Sequence, residues 1–309
     1  MKSIEQFEQI RQEKAKKVKL FIILASSFYA TFLLILIIGF VVLQSDNLSN
    51  APLILGFFGT LFMIVGLIFL VLIIVNCVQW SNFFKNEIVK TLMESEYPNC
   101  SYLKDKGINK ELFFEPAFFH KPDIYKSNNF LKATYEDILI ESADYTLQDR
   151  YQDSKGNVSY QTYAQGRFFC FSFNRTFNEV VKVCEKSGPF NFSFNTKLEK
   201  VELESVEFNK KFSTTSSSPQ AAFYILTPQV QEELLRLEKS FKGGIFFCFK
   251  ENHLYVAINN FSSSYSSNIF RPLEGETLKT ITNEIRVPKR FVDSLKLNRE
   301  KFNMNINSI

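Results

Sequence analysis

The chain has 309 residues, with 36 Lys and Arg against 32 Asp and Glu, a formal charge of only +4. Acids and bases are mixed along its length, which leaves no basic footprint for nucleic acid. The five cysteines, Cys77, Cys100, Cys170, Cys184 and Cys248, are irregularly spaced with no C-x-x-C pair, which argues for free thiols in a reducing compartment and against a zinc site.

The first predicted element is a basic helix over residues 1–19, carrying Arg11, Lys14, Lys16, Lys17 and Lys19. It runs into "LFIILASSFYATFLLILIIGFVVL" at Leu20–Leu43, and a second charge-free run follows at Leu53–Val75. Each exceeds the roughly 20 apolar residues that a helix needs to cross a bilayer. Residues 20–80 therefore predict a two-span hairpin with a short external loop, 44–52. That loop carries Asp46 and no base, whereas the other side adds Lys85 and Lys90 to the five bases just named. Charge asymmetry of this kind puts both the N-terminus and the C-terminal domain in the cytoplasm. Gly56, Gly59 and Gly66 are expected to let the two helices pack closely, and Trp80 to anchor at the interface.

Residues 81–97 predict a short amphipathic juxtamembrane helix, with Phe84, Ile88, Val89 and Leu92 on its apolar side. From residue 98 the text turns to β-formers. "NNFLKATYEDILIESADYTLQDRY" reads as a strand, "DSKGN" as a turn, and "VSYQTYAQGRFFCFSFN" as the return, with Gly166 marking a bulge or bend. After a break at Lys186–Lys197, "KVELESVEF" alternates again and "AAFYIL" reads as a buried strand. Thr227 and Pro228 open a helix that Gly243 closes, with Val230, Leu234, Leu237 and Phe241 on its apolar face. "GIFFCFKENHLYVAIN" reads as a hairpin turning at Glu251–Asn252, "NNFSSSYSSN" as a loop, and the last segments as two helices. The fold class is thus an α-helical transmembrane hairpin followed by an α+β domain, 98–309, with a mainly antiparallel sheet.

Little in this text carries chemistry. His120 and His253 have no ligand set at metal spacing, although "HKPD" could place His120 near Asp123. Glu202 and Glu204 share one face of a strand and could do acid–base work, but also match a solvated sheet face. No phosphate loop and no nucleophile elbow are present, and no cofactor is implied. The distinctive phrase occurs twice, "FNRTF" at Phe173–Phe177 and "FNKKF" at Phe208–Phe212. Phenylalanines four apart would dock together as the chain leaves a strand, with Asn174 and Asn209 bonding locally and Arg175 and Lys210 pointing outward. Those four residues are the candidate contacts for an anion or a partner.

The run "VELESVEFNKKFSTTSSSPQAAFYILTP", the later "IFFCFKENHLYVAINN" and the earlier "AQGRFFCFSFNRTF" resemble the bacterial family catalogued as domain of unknown function 3137. The two-span hairpin also fits. One departure is "TTSSSPQ", where members tend to be acidic. The resemblance implies a multi-pass protein of the bacterial inner membrane with a cytoplasmic domain, and no activity. Two functions follow as expectations. One is a membrane-anchored binding or scaffold module recognising a protein partner or anionic lipid, of undetermined oligomeric state. The other is an enzyme acting on a lipid or phosphorylated substrate, built from Glu202, Glu204, Arg175 and Lys210.

Overall fold

The computed structural model describes residues 4–43, 51–186 and 198–297. The chain divides into two compact units, Met1–Val89 with Ser266–Thr280, and Lys90–Tyr265 with Ile281–Ile309.

In the first unit, α1 (Ile4–Leu43) and α2 (Ala51–Phe83) form an antiparallel pair. The register shows in the rings: Phe28 meets both Phe62 and Phe69 at 5.6 Å, and Phe21 meets Phe69 at 6.0 Å. Both helices are long and apolar enough to cross a membrane, and only 6% of each apolar window is buried, unlike the core helix of a soluble protein. The glycines do not act alike. A Cβ at Gly66 would meet the Tyr29 ring at 3.2 Å and one at Gly59 would sit 3.4 Å from Ile35, but Gly56 faces open space. Close approach therefore rests on Gly66 and Gly59. The loop residues 44–50 lie outside the described residues.

Trp80 does not stand out at an interface as expected. It is buried and packs against Phe83 and Phe84 at 5.9 and 6.0 Å. A π-helical turn, Phe84–Val89, follows, before α3 (Lys90–Glu96). Its wider turn, with i→i+5 bonding, rotates the next residues round the axis. The buried set therefore ends on Met93 rather than Leu92.

Segment 266–280 closes the first unit by clasping the polar start of α1. Arg11 Nη1 donates to the Ile269 carbonyl at 2.6 Å, and the Leu273 amide donates to Glu8 Oε2 at 2.8 Å. Glu8 and Arg11 also pair with each other at 2.5 Å. Arg11 is almost fully buried, so this base is committed to structure and not to headgroups.

Among the described residues the second unit holds a seven-stranded sheet in which every pairing is antiparallel. Its strands are β1 (Ser101–Leu103), β2 (Ile124–Tyr135), β3 (Ile138–Gln152), β4 (Val158–Glu185), β5 (Glu199–Val201), β6 (Phe212–Ser216) and β7 (Gly244–Asn259). The order is β1-β2-β3-β4-β6-β5, with β7 also paired to β4. The run read as one strand from Asn128 to Tyr151 is in fact the β2–β3 hairpin. Glu136 and Asp137 take φ of 49° and 62°, the conformation a two-residue turn with right-handed strand twist requires. The "DSKGN" turn forms as expected, with Asp153 Oδ1 accepting from the amides of Lys155 and Asn157 at 2.9 and 2.8 Å.

Two other expectations are corrected. "AAFYIL" is helical: Ser218 and Pro219 open α6 (Pro219–Ile225), because Pro at the first helical position outweighs a short apolar run. "GIFFCFKENHLYVAIN" is the single strand β7, because it pairs with β4 on both sides of Glu251, at φ 53°, where extra residues on β4 shift the register and no turn forms. The second unit also holds α4 (Lys110–Phe114), α5 (Val206–Lys211), α7 (Pro228–Ser240) and α9 (Val287–Leu295), and α8 (Glu276–Ile285) begins in the first unit's segment and ends in the second's. Thr227 and Pro228 do begin α7, though the Thr227 hydroxyl makes no cap bond. "RFFCF" shows no alternation because β4 is covered on both faces. Phe168 meets Phe113 of α4 at 4.9 Å, while Phe169 and Phe171 meet Phe291 of α9 at 5.4 and 5.8 Å.

Gly166 is not the bulge, since the β3–β4 register slips at Leu147–Gln148 opposite Tyr163. A Cβ at Gly166 would lie 1.9 Å from the Ile258 carbonyl oxygen. Gly166→Ala must push β7 away from β4 and is expected to cost about 1–3 kcal/mol by overpacking, read as a lower denaturation midpoint of the full chain. For the clasp, Arg11→Ala is expected to speed amide exchange across segment 266–280 while the β-sheet amides keep their rates. Unchanged exchange at Leu273 would disprove the clasp.

Candidate functional site

The second copy of the repeated phrase builds the site. Ser205 ends the alternating run by capping a helix, its Oγ accepting from the Phe208 amide at 3.2 Å. The strand expected from "KVELESVEF" is thereby cut to β5, and the phrase falls on α5 and the first residue of β6. Phe208 and Phe212 stack at 4.9 Å and are both buried, as phenylalanines four apart on one turn must be.

Asn209, between them, clamps the preceding connection. Its Oδ1 accepts from the Leu203 amide at 3.1 Å and its Nδ2 donates to the Leu203 carbonyl at 2.5 Å. The Asn209 carbonyl in turn accepts from Lys186 Nζ at the end of β4. The two adjacent bases then separate. Lys211 pairs with Glu238 at 2.7 Å and Glu185 at 3.0 Å, and those two carboxylates raise its pKa. Lys210 is exposed and has no ion pair among the described residues.

Lys210 instead borders a hollow of about 340 Å³ between α5 and the β5–β6 ladder. Val201, Val206 and Phe212 give it apolar walls. Lys186, Lys200 and Lys210 stand around it with a single acid, Glu202, and Ser213 and Thr214 complete the lining. The Thr214 hydroxyl is buried and has no hydrogen-bond partner among the described residues. Lys200 and Glu202 pair at 3.2 Å but are both exposed, so the pair holds either group only weakly. A neighbouring hollow of about 500 Å³ beside α7 is different in kind. Its bases Lys211 and Lys239 are already met by Glu238 and Glu207.

The first copy of the phrase does not join this site. Phe173–Phe177 lies inside β4 at its register slip against β7, so it is a mid-strand bulge and not a strand exit. The rings of Phe173 and Phe177 still meet, at 5.8 Å. Asn174 is exposed, and the Arg175 side chain lies outside the described residues. Ser172 and Cys184 of β4 face His253 and Phe246, only seven residues apart on β7, so at about 3.3 Å per strand residue Asn174 stands on the order of 20–25 Å along β4 from Lys186. Of the four candidates, the fold places Asn209 and Lys210 at the hollow.

Other singled-out residues have ordinary partners. Glu202 and Glu204 are exposed on the connection after β5, with Val201 and Leu203 buried between them. His120 takes Asp149, not Asp123: Nε2 and Oδ2 lie 2.7 Å apart and the ring stacks on Tyr163. Asp123 accepts from the Arg150 amide at 2.7 Å. His253 stacks on Tyr255, and burial lowers its pKa. Burial pushes the Cys184 and Cys248 thiols up to about 12, which makes them inert. Among the described residues no three His, Cys, Asp or Glu side chains gather as a metal site would need. Sequence reading missed Lys186, Lys200 and Thr214, which only the β4–β6–β5 pairing brings together.

Asn209→Ala strips both partners from the Leu203 backbone and is expected to cost about 1–3 kcal/mol, with faster amide exchange at Leu203. Asn209→Asp keeps the acceptor and loses the donor, so its loss in the same denaturation measurement should be the smaller.

Residues 162–297 match the model of the family described as "Protein of unknown function (DUF3137)". The resemblance read from the sequence therefore holds over this segment, which contains every residue lining the hollow. A solved structure described as "crystal structure of the mycobacterial trehalose monomycolate transport factor A, TtfA" is similar at 11% identity with a TM-score of 0.40. The match covers 70% of this chain and 96% of that one. No curated protein matches the chain.

Proposed function

We propose that the chain is a membrane-anchored binding module that recognises an anionic group at the inner face of the bacterial cytoplasmic membrane. The two apolar helices hold it there, with the N-terminus and the second unit in the cytoplasm, as the bases flanking the spans favour. The observation that carries the reading is the hollow beside α5, where Lys186, Lys200 and Lys210 converge against the single carboxylate of Glu202. Asn209 holds that wall in place before any ligand arrives, which limits the ordering that binding must supply. Glu202 and Glu204 take the role of solvated side chains.

An anionic lipid is favoured over an acidic protein partner. The hollow offers ammonium groups and no guanidinium among its lining residues, and Lys acts on phosphate as a compact point charge whereas carboxylates are best held by the fork of Arg.

A photo-crosslinking residue in place of Val206, which is 66% exposed at the hollow's rim, tests this in the full chain in native membranes. The expected adduct is lipid. Lys200→Glu with Lys210→Glu should cut its yield roughly tenfold, as loss of charge-assisted contacts predicts, without lowering the melting temperature. A yield indifferent to both charge reversals would sink the reading, and a protein adduct that depends on the lysines would replace the lipid with an acidic partner.

A further inference from the structure

We propose that the hollow beside α5 is a phosphomonoester site, taking the dianionic phosphoryl group of a lipid headgroup or of a small phosphorylated metabolite. This rests on the anion-binding reading above and narrows it. The first argument is charge. Lys186, Lys200 and Lys210 line the hollow with one acid, Glu202, a formal surplus of two positive charges. A phosphomonoester, at about −1.5 to −2 near neutral pH, neutralises that surplus. A phosphodiester carries a single charge and leaves half of it uncompensated.

The second argument is hydrogen bonding. The ester's terminal oxygens need donors from more than one direction, and the hollow supplies them from three elements. Lys186 comes from the end of β4, already oriented by the Asn209 carbonyl. Lys210 comes from α5, with no acid partner among the described residues. Lys200 comes from β5, where its pair with Glu202 is exposed and weak.

The third argument is size and wall chemistry. About 340 Å³ sits at the low end of the roughly 300–1,000 Å³ of small-ligand sites. It admits a phosphoryl group with a short organic fragment, which Val201, Val206 and Phe212 would face. The neighbouring hollow beside α7 lacks the surplus, because Glu238 and Glu207 already meet its lysines.

The test uses the full chain in nanodiscs of phosphatidylcholine, titrated calorimetrically with glycerol 3-phosphate, dihexanoyl phosphatidic acid and dihexanoyl phosphatidylglycerol. At least one monoester should bind roughly tenfold tighter than the diester, and Lys200→Gln with Lys210→Gln should remove roughly tenfold of that affinity. The melting temperature of the chain carrying Lys200→Gln with Lys210→Gln should hold, which separates ligand contact from a role in folding. Phosphatidic acid binding without glycerol 3-phosphate identifies the lipid source, and the reverse pattern identifies a soluble metabolite. Diester and monoester binding equally through the same lysines would overturn the phosphomonoester and leave the anion reading standing. No binding by any of the three overturns this proposal, and lysine-independent crosslinking at residue 206 would bring down the anion reading with it.

Discussion

The second unit depends on one strand. β4 pairs with β3 through Val158–Ser172, with β6 through Val181–Glu185, and with β7 through Gly166–Cys184. One strand can satisfy so many neighbours only if it is long and its backbone open on both edges. It also needs apolar side chains on both faces, because helices cover both. The run Phe168–Phe171 meets that need, each residue essentially fully buried. Where β7 crosses closest, Gly166 removes the side chain that would hold the two backbones apart.

A buried polar centre stands beside Gly166 on the same strand. Asp144 on β3 accepts from Asn129 Nδ2 at 2.7 Å, the Ser264 amide at 2.8 Å and Ser264 Oγ at 2.6 Å. Arg167 on β4 lies 4.6 Å over the Tyr265 ring and 5.2 Å over Phe169, and donates to Ser142 Oγ at 3.3 Å. A charge taken out of water is tolerable only when so paired and bonded. The serine-rich loop Asn260–Ser264 is thereby bound to the sheet through its own serines. α3 is held in a similar way, by Lys289 and Arg286 on Glu96 at 3.1 and 3.0 Å and by Tyr97 OH on the Ile285 carbonyl at 2.8 Å.

The hollow follows from this arrangement at its far end. Once β4 has carried Lys186 past β3, β6 and β5 complete the sheet beside it, and α5 must bridge the last two strands in few residues. Asn209 makes that short bridge rigid. The lysines converge because three short elements end at one place, an outcome no single segment encodes. Local spacing did reveal that Phe208 and Phe212 would meet, since a contact four residues apart needs only one turn of helix. The same spacing at Phe173 and Phe177 also brought the rings together, but on a strand bulge, because β7 on the neighbouring edge outweighed the local preference.

The sequence by itself determined the elements whose free energy is local. The charge-free runs at Leu20–Leu43 and Leu53–Val75 define helices, since a backbone in hydrocarbon must bond within itself. The "DSKGN" turn and the start of α7 at Thr227–Pro228 were legible for the same reason. Tertiary structure decided what depends on partners distant in the chain. It made "GIFFCFKENHLYVAIN" one strand because β4 offered it pairing partners on both sides of Glu251, and gave His120 to Asp149 across 29 positions. It also set Lys186, Lys200, Lys210 and Thr214 around one hollow. Strand register is a non-local quantity, fixed by burial on two faces at once, and a residue's neighbours in the chain carry too little of that energy to announce it.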